Sequence, residues 1–373
     1  MKRTGFAKLE EFLSRTPVLV ERPVWPTDCS AKKAARHAAV LAGAPLNEAE
    51  LEHRRLSREF ERRLNALGLG RAYIVIDRTR DDISTLDAIQ ETITRRYRGI
   101  AAPGNNARLG LGDACTISQR PNNASCILLE EQDGWQPCFV IKPNDSNINL
   151  STEFAERLMW PASGLRKPLP VSRENLNRML LFHESFGHGT EDTGKFYHQD
   201  AVGNANCELR AEIAAMIGII HDTGHVNAAK SMVHAWNLHG LRCVAIVGWI
   251  RDDFTKYANG KELGQALKSL PAIPDIRRMD DRGLVRLIDE IFTPLALDET
   301  RYNARTTMLG DAFRLASDAE EGKNTTLTCL SPKRLASAIG YLQDCMKAHA
   351  FFMKPAQTPR PNPASPVPRP VMP

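Results

Sequence analysis

A mostly helical α+β fold is what this chain predicts, and three observations carry the expectation. Apolar positions at helical spacing recur from about residue 206 to residue 352. One segment, "SCILLEEQDGWQPCFVIKP", has a β-favouring run on each side of Asp133-Gly134, a dipeptide suited to a tight turn. The composition, 42% hydrophobic and 25% charged over 373 residues, belongs to a globular chain able to bury a sizeable core.

The elements follow in order. The first residues, "MKRTGFAKLEEFLSR", are basic with no apolar run behind them, so they do not read as a secretory leader. Helical spacing begins in "AKKAARHAAVLAGA" and continues in "NEAELEHRRLSREFERRLNALGLG", with Leu51, Phe60, Leu64 and Leu67 as apolar positions and glycines as the stop. Residues 1–71 are thus expected to be a basic N-terminal helical arm. They hold 14 Lys/Arg against 9 Asp/Glu, while residues 72–373 hold 35 of each, so the whole net charge of +5 lies in the arm. Such an excess reads either as a solvated helical face or as a weak contact with nucleic acid or another acidic surface.

A strand, "AYIVI" at 72–76, precedes a helix over about 82–96 and then the hairpin. Ser172 is placed to cap a helix whose apolar face is Leu176, Met179, Leu180 and Phe182. Further helices are expected near 206–220, 225–239, 282–293, 303–320 and 332–352, the last opened by Ser331-Pro332. From Pro355 the tail has eight prolines in nineteen residues, which predicts a disordered or polyproline segment, a linker or a ligand for a proline-reading partner. The longest apolar window, "CVAIVGWI" at 243–250, is too short to span a bilayer. A cytoplasmic protein is expected, with secretion by a route that needs no cleaved leader also compatible.

Several function classes drop out. Eight scattered cysteines with no C-x-x-C pair argue against a disulfide scaffold and a zinc ribbon. A glycine-rich phosphate loop, a serine nucleophile elbow and a cysteine nucleophile context are all missing.

What remains is a concentration of histidine: seven of the ten lie between 183 and 239. In "LLFHESFGHGTEDTGKF", His183 and His188 flank Glu184 but stand five residues apart, one more than the four that stack two metal-binding imidazoles on a helix face. At ~100° per residue an α-helix would leave them ~140° apart rather than ~40°. A π-helical turn at 184–188, with ~4.4 residues per turn, would carry five residues through ~410° and bring the rings back to within ~50°. Gly187 suits that distortion because it has no Cβ.

A third ligand is available in "NCELRAEIAAMIGII". Glu208 and Glu212 are four apart, on one face of a helix otherwise apolar at Leu209, Ile213, Met216, Ile217 and Ile220. Two carboxylates on a buried helix need partners. One assignment makes Glu208 a metal ligand and lets Glu212 accept the N–H of His183 or His188, fixing its tautomer. The other pairs both glutamates with Arg210 or with arginines of the arm. A catalytic Zn2+ needs three protein ligands and an open position, which His183, His188 and Glu208 could supply. A transition-state donor should face the open position, with His234, His239, Tyr197 and Tyr302 as candidates. His221 and His225 in "HDTGH" also stand four apart, but Thr223-Gly224 reads as a turn, which favours a role at a helix C-terminus.

These motifs resemble the gluzincin class of zinc peptidases. "HESFGH" and the Glu208-x-Arg210-Ala211-Glu212 part of "CELRAE" are similar to the HExxGH and ExxRAE motifs of the dipeptidyl peptidase III family, and Gly194-Lys195 follows His188-Gly189 as in that family. Cys207 stands where that family has a second Glu, the linker between the motifs is far shorter, and the chain is too small for the family's two lobes. A second resemblance is to the zincin-like domain of ArdC-type antirestriction and conjugal-transfer proteins, carried by "ELRAEIAAMIG" and "HVNAAKSMVHAW". The histidines of those proteins have ordinary spacing, and no counterpart of their single-strand DNA-binding domain is found here.

The resemblance covers about sixty residues and implies a zincin-like catalytic domain over 72–354, between the arm and the tail at 355–373. It also implies a zinc-dependent metallopeptidase acting on a peptide or protein through a zinc-activated water, with His183, His188 and Glu208 as ligands, Glu184 as general base and Glu212 behind a ligand. The alternative is an antirestriction or mobile-element protein that binds nucleic acid and keeps a structural or vestigial zinc site.

Overall fold

The computed structural model describes residues 29–82, 84–96, 125–129, 138–142, 173–191, 200–247, 258–320, 326 and 329–353. The Asp133-Gly134 turn, Ser172, Tyr197 and the proline-rich tail lie outside them. Helices dominate. In chain order they are α1 (Cys29–Leu41), α2 (Glu48–Ala66), α3 (Leu86–Arg96), α4 (Arg173–Phe182), α5 (Ala201–Thr223), α6 (Val226–Val247), α7 (Gly260–Ser269), α8 (Ile273–Ile276), α9 (Asp281–Phe292), α10 (Glu299–Glu320) and α11 (Pro332–Met353).

Three short strands, β1 (Ala72–Val75), β2 (Ser125–Leu129) and β3 (Cys138–Lys142), form one sheet in the order β1-β3-β2. The two expected hairpin strands pair antiparallel, Ser125 with Lys142 through Leu129 with Cys138. β1 adds parallel to β3, Ala72 opposite Cys138, and is buried at all four positions, which accounts for its unbroken apolar run.

The second helix of the N-terminal segment packs into the main core. α2 begins with a reciprocal cap, in which the Asn47 side chain accepts from the Glu50 N–H at 3.0 Å and the Glu50 carboxylate accepts from the Asn47 N–H at 2.8 Å. Its buried face is Leu56, Phe60 and Leu64, followed by Leu67 just past its end. Leu51, nine residues before Phe60 and so ~180° away on the helix, is exposed. Phe60 packs edge-on against Phe182 and Phe186, with ring centroids 4.9 and 6.2 Å away. Arg63 places its guanidinium 5.0 to 5.2 Å from all three rings and pairs with Asp222 and Asp281.

α5 runs through the middle of this core. Residues 209–220 are all buried, the pattern of a helix surrounded on every side. It packs against α4, α6, α7 and α9. The Asp200 side chain caps its start by accepting from the Gly203 N–H, and Gly224 ends it in the left-handed conformation at φ +72°. Thr223-Gly224 is therefore the turn the sequence suggested. Gly218 is required where α4 crosses, because a Cβ there would penetrate the Phe182 ring. A second apolar cluster joins Leu309, Ala312 and Leu315 of α10 to Ala338, Leu342 and Cys345 of α11. No helix among the described residues is long and apolar enough to cross a membrane.

Candidate metal centre

The centre is built where α4 stops being an α-helix. His183–Gly187 form a π-helical turn, and His188–Thr190 continue as one turn of 3₁₀-helix. The His188 N–H is shared between the carbonyls of Glu184 and His183, which is the widening that five-residue spacing demands. The ring centroids of His183 and His188 come to 4.9 Å, with the planes 82° apart. Gly187 makes the turn compatible with α5, since a Cβ there would lie 2.5 Å from Ala211 Cα and 2.7 Å from its Cβ.

That close approach sets Glu208 of α5 opposite the histidines. Its Oε2 lies 3.5 Å from His183 Nε2 and 3.9 Å from His188 Nε2, and one donor atom from each of the three residues falls within 4.8 Å of the others. Zinc bonds of ~2.0–2.2 Å at tetrahedral angles separate donors by about 3.4 Å, so two imidazoles and a carboxylate at these spacings fit a divalent metal after small side-chain adjustments. Among the described residues no fourth His, Cys, Asp or Glu joins the group. The three side chains are partly exposed, so solvent can reach them.

Carboxylates surround the centre. Glu184 is buried, and burial pushes its carboxyl pKa up against the opposing charges of His183 and His188, while the Cys126 backbone N–H of β2 holds its charged form. Burial opposes charge on His188, but Glu191, Glu208 and Glu184 outweigh it and hold that imidazole at about 9.

Glu191 is a candidate site residue that the sequence did not single out. It is buried, and its Oε2 lies 3.8 Å from His188 Nδ1, on the side of the ring away from Glu208. It is thus the carboxylate placed to orient that ring and would leave Nε2 free for a metal. The Cys207 thiol lies against the same carboxylate, and burial raises its pKa. Glu191 follows His188 by three residues, and the only signal in the sequence was that i, i+3 spacing.

The role expected of Glu212 needs correcting. It does not hydrogen-bond His183 or His188, and both of its carboxylate oxygens lack a hydrogen bond. One turn beyond Glu208, it turns away from the histidines toward Asn259, Arg305 and Glu262. Asn259 lies beside the carboxylate without completing a hydrogen bond, and burial followed by the charge of Glu208 drives the pKa well upward. Arg210, the alternative partner for the two glutamates, pairs with Asp289 instead. Of the candidate transition-state donors, Tyr302 is packed with Ala205 and Leu297, and His234 lies near Asp344 of α11. The side chain of His239 lies outside the described residues. His221 sits in the last turn of α5, between Asp222 and the Met279 carbonyl, apart from the metal group. Comparison with family models, with curated proteins and with solved structures finds no match to the chain.

Proposed function

We propose that the protein is a zinc-dependent metallopeptidase with a zincin-like catalytic domain. The carrying observation is the convergence of His183, His188 and Glu208 across a π-helical turn, with Glu184 the next residue after the first ligand. Bound there, zinc would polarise a peptide carbonyl and acidify a water molecule.

The protein's own groups supply the rest of the chemistry. Glu184, with its carboxyl pKa raised by burial, is a stronger base than an exposed carboxylate and is placed to take a proton from water and return it to the leaving amine. The Cys126 N–H orients that carboxylate from the edge strand. Glu191 holds the His188 ring from behind, and Glu208 completes the ligand set from the most buried helix of the fold. The partial exposure of the ligands gives an extended peptide a route to the centre.

The decisive experiment is cleavage-site profiling on a peptide library, with zinc content measured in parallel, for the wild type and Glu184→Gln. The variant should keep stoichiometric zinc and lose hydrolysis by ~10²- to 10⁴-fold, the usual contribution of a general base. Wild-type protein without stoichiometric zinc, or a Glu184→Gln variant that cleaves at the wild-type rate, rules the proposal out.

A further inference from the structure

We propose that Arg210 is a positioning residue of the metal centre, which holds the π-helical turn in the shape that lets His183 and His188 converge. The proposal rests on the metal-centre reading above and adds to it a residue that touches no ligand atom. Its basis is an accounting of backbone carbonyls. A π turn followed by a single 3₁₀ turn breaks the regular i to i+4 ladder, and the chain then leaves the helix at Glu191 (φ −56°, ψ 142°). Carbonyls at such an end need partners from elsewhere, above all when buried.

Arg210 provides them. Its Nη1 donates to Phe186 O at 3.1 Å and also to Gly187 O, the two carbonyls immediately before His188. Its Nη2 donates to Thr190 Oγ1 at 3.1 Å, and that hydroxyl donates onward to Phe186 O at 2.6 Å. On the outer edge Nε donates to Asp289 Oδ1 of α9 at 2.9 Å. Arg210 is 1% exposed, and Phe186, Gly187 and Thr190 are buried with it, so water has little access to replace its hydrogen bonds to them, whereas Asp289 is half exposed.

Side-chain chemistry explains why an arginine stands here. A planar fork with five donors can serve two carbonyls, a hydroxyl and a carboxylate at once, whereas the point charge of lysine cannot. Location explains the effect on the metal. Glu208, Arg210 and Ala211 are successive features of one turn of α5, supplying the third ligand, the clamp and the surface against which Gly187 packs. Freed from Arg210, the buried Gly187 carbonyl beside His188 loses its arginine donor and the Phe186 carbonyl keeps only the Thr190 hydroxyl, and reverting to α-helical spacing would carry the His188 ring away from His183.

The test uses the full chain, with zinc affinity from chelator competition and the visible absorption spectrum of the cobalt-substituted protein, which reports ligand geometry. Arg210→Lys should lower zinc affinity ~10- to 100-fold, as loss of an outer-sphere partner does, and shift the cobalt bands. Thr190→Val, which keeps the charge and volume but removes one hydroxyl of the network, should move both readouts the same way by less. In Arg210→Ala, millimolar guanidinium but not sodium chloride at equal ionic strength should restore part of the affinity.

A folded Arg210→Lys protein with wild-type affinity and unchanged bands overturns the proposal. If that variant does not fold, wild-type affinity and bands in Thr190→Val overturn it. A wild-type protein that takes up neither zinc nor cobalt would instead defeat the metal-centre reading itself.

Discussion

Gly187→Ala tests the packing that creates the centre. The new Cβ would lie 2.5 Å from Ala211 Cα and 2.7 Å from Ala211 Cβ. Ordinary carbon contacts are ~3.5–4.0 Å, so the π turn or α5 must move by about 1 Å. Both are buried on that side, and overpacking of this kind costs ~1–3 kcal/mol. Against it stands the lower entropy of an unfolded chain with alanine, a gain of ~0.4–1 kcal/mol. The clash wins, and a net loss of about 1–2 kcal/mol is expected in urea unfolding of the metal-free protein.

The larger effect should fall on the metal, because His188 is the next residue and Glu208 lies just before Ala211 on α5. Metal–ligand distances tolerate only about ±0.2 Å, so a shift of about 1 Å between the two elements should weaken zinc binding at least ~10-fold. The double variant Gly187→Ala/Ala211→Gly removes the Cβ–Cβ contact but keeps the approach to Ala211 Cα, so it should recover only part of either loss. An unfolding midpoint and a zinc affinity both unchanged in Gly187→Ala would refute the reasoning.

Two further outcomes follow from the charges around the core. Glu191→Gln should lower zinc affinity ~10-fold or more by removing the carboxylate 3.8 Å from His188 Nδ1. Glu212→Gln should lower it less, because that side chain faces Asn259 and Arg305; the reverse order in chelator competition would restore Glu212 as the partner of a ligand histidine. For His221 burial opposes the charged form, but the Asp222 carboxylate at 2.8 Å and the Met279 carbonyl at 3.0 Å overcome it and raise the pKa above 6.5 despite nearby Arg63. Its contribution to stability is therefore full below about pH 6.5 and is lost as pH rises through the raised value. Compared with the wild type, His221→Gln should be destabilised more at pH 5.5 than at pH 9, and equal differences at the two pH values would show that the histidine is not charged in the folded protein.

The parts of the site that were legible in the sequence are those set by local geometry. Five-residue spacing in "HESFGH" is incompatible with two convergent imidazoles on an α-helix, so the π turn could be expected from the sequence, and it occurs one residue earlier than placed, at 183–187. Glu208 was legible because a carboxylate on an apolar helix needs a partner. Arg210 and Glu212 were not, because what they meet depends on how distant elements pack: Phe186, Gly187 and Asp289 for one, Asn259 and Arg305 for the other. Helix boundaries behaved similarly. α9 and α11 start and end within one residue of expectation, whereas α5 extends from Ala201 to Thr223 rather than 206 to 220, because its ends are set by the Asp200 cap and by Gly224.

The basic first segment shows why a charge count is a weak guide to partners. Arg36 pairs with Glu50, and Arg54 donates to Thr79. Arg63 is shared between Asp222 and Asp281, and Arg55 pairs with Glu174 and Glu59. Arg178 of α4 joins the same network through Glu59 and Asp222. The ion pairs hold α2 to α1, α4, α5 or α9, or lie within α2 itself, so part of the segment's charge is engaged in packing rather than displayed singly. Arg63 lies against Phe60, Phe182 and Phe186 while it pairs with Asp222 and Asp281, which ties α2 to the helix that ends in the π turn.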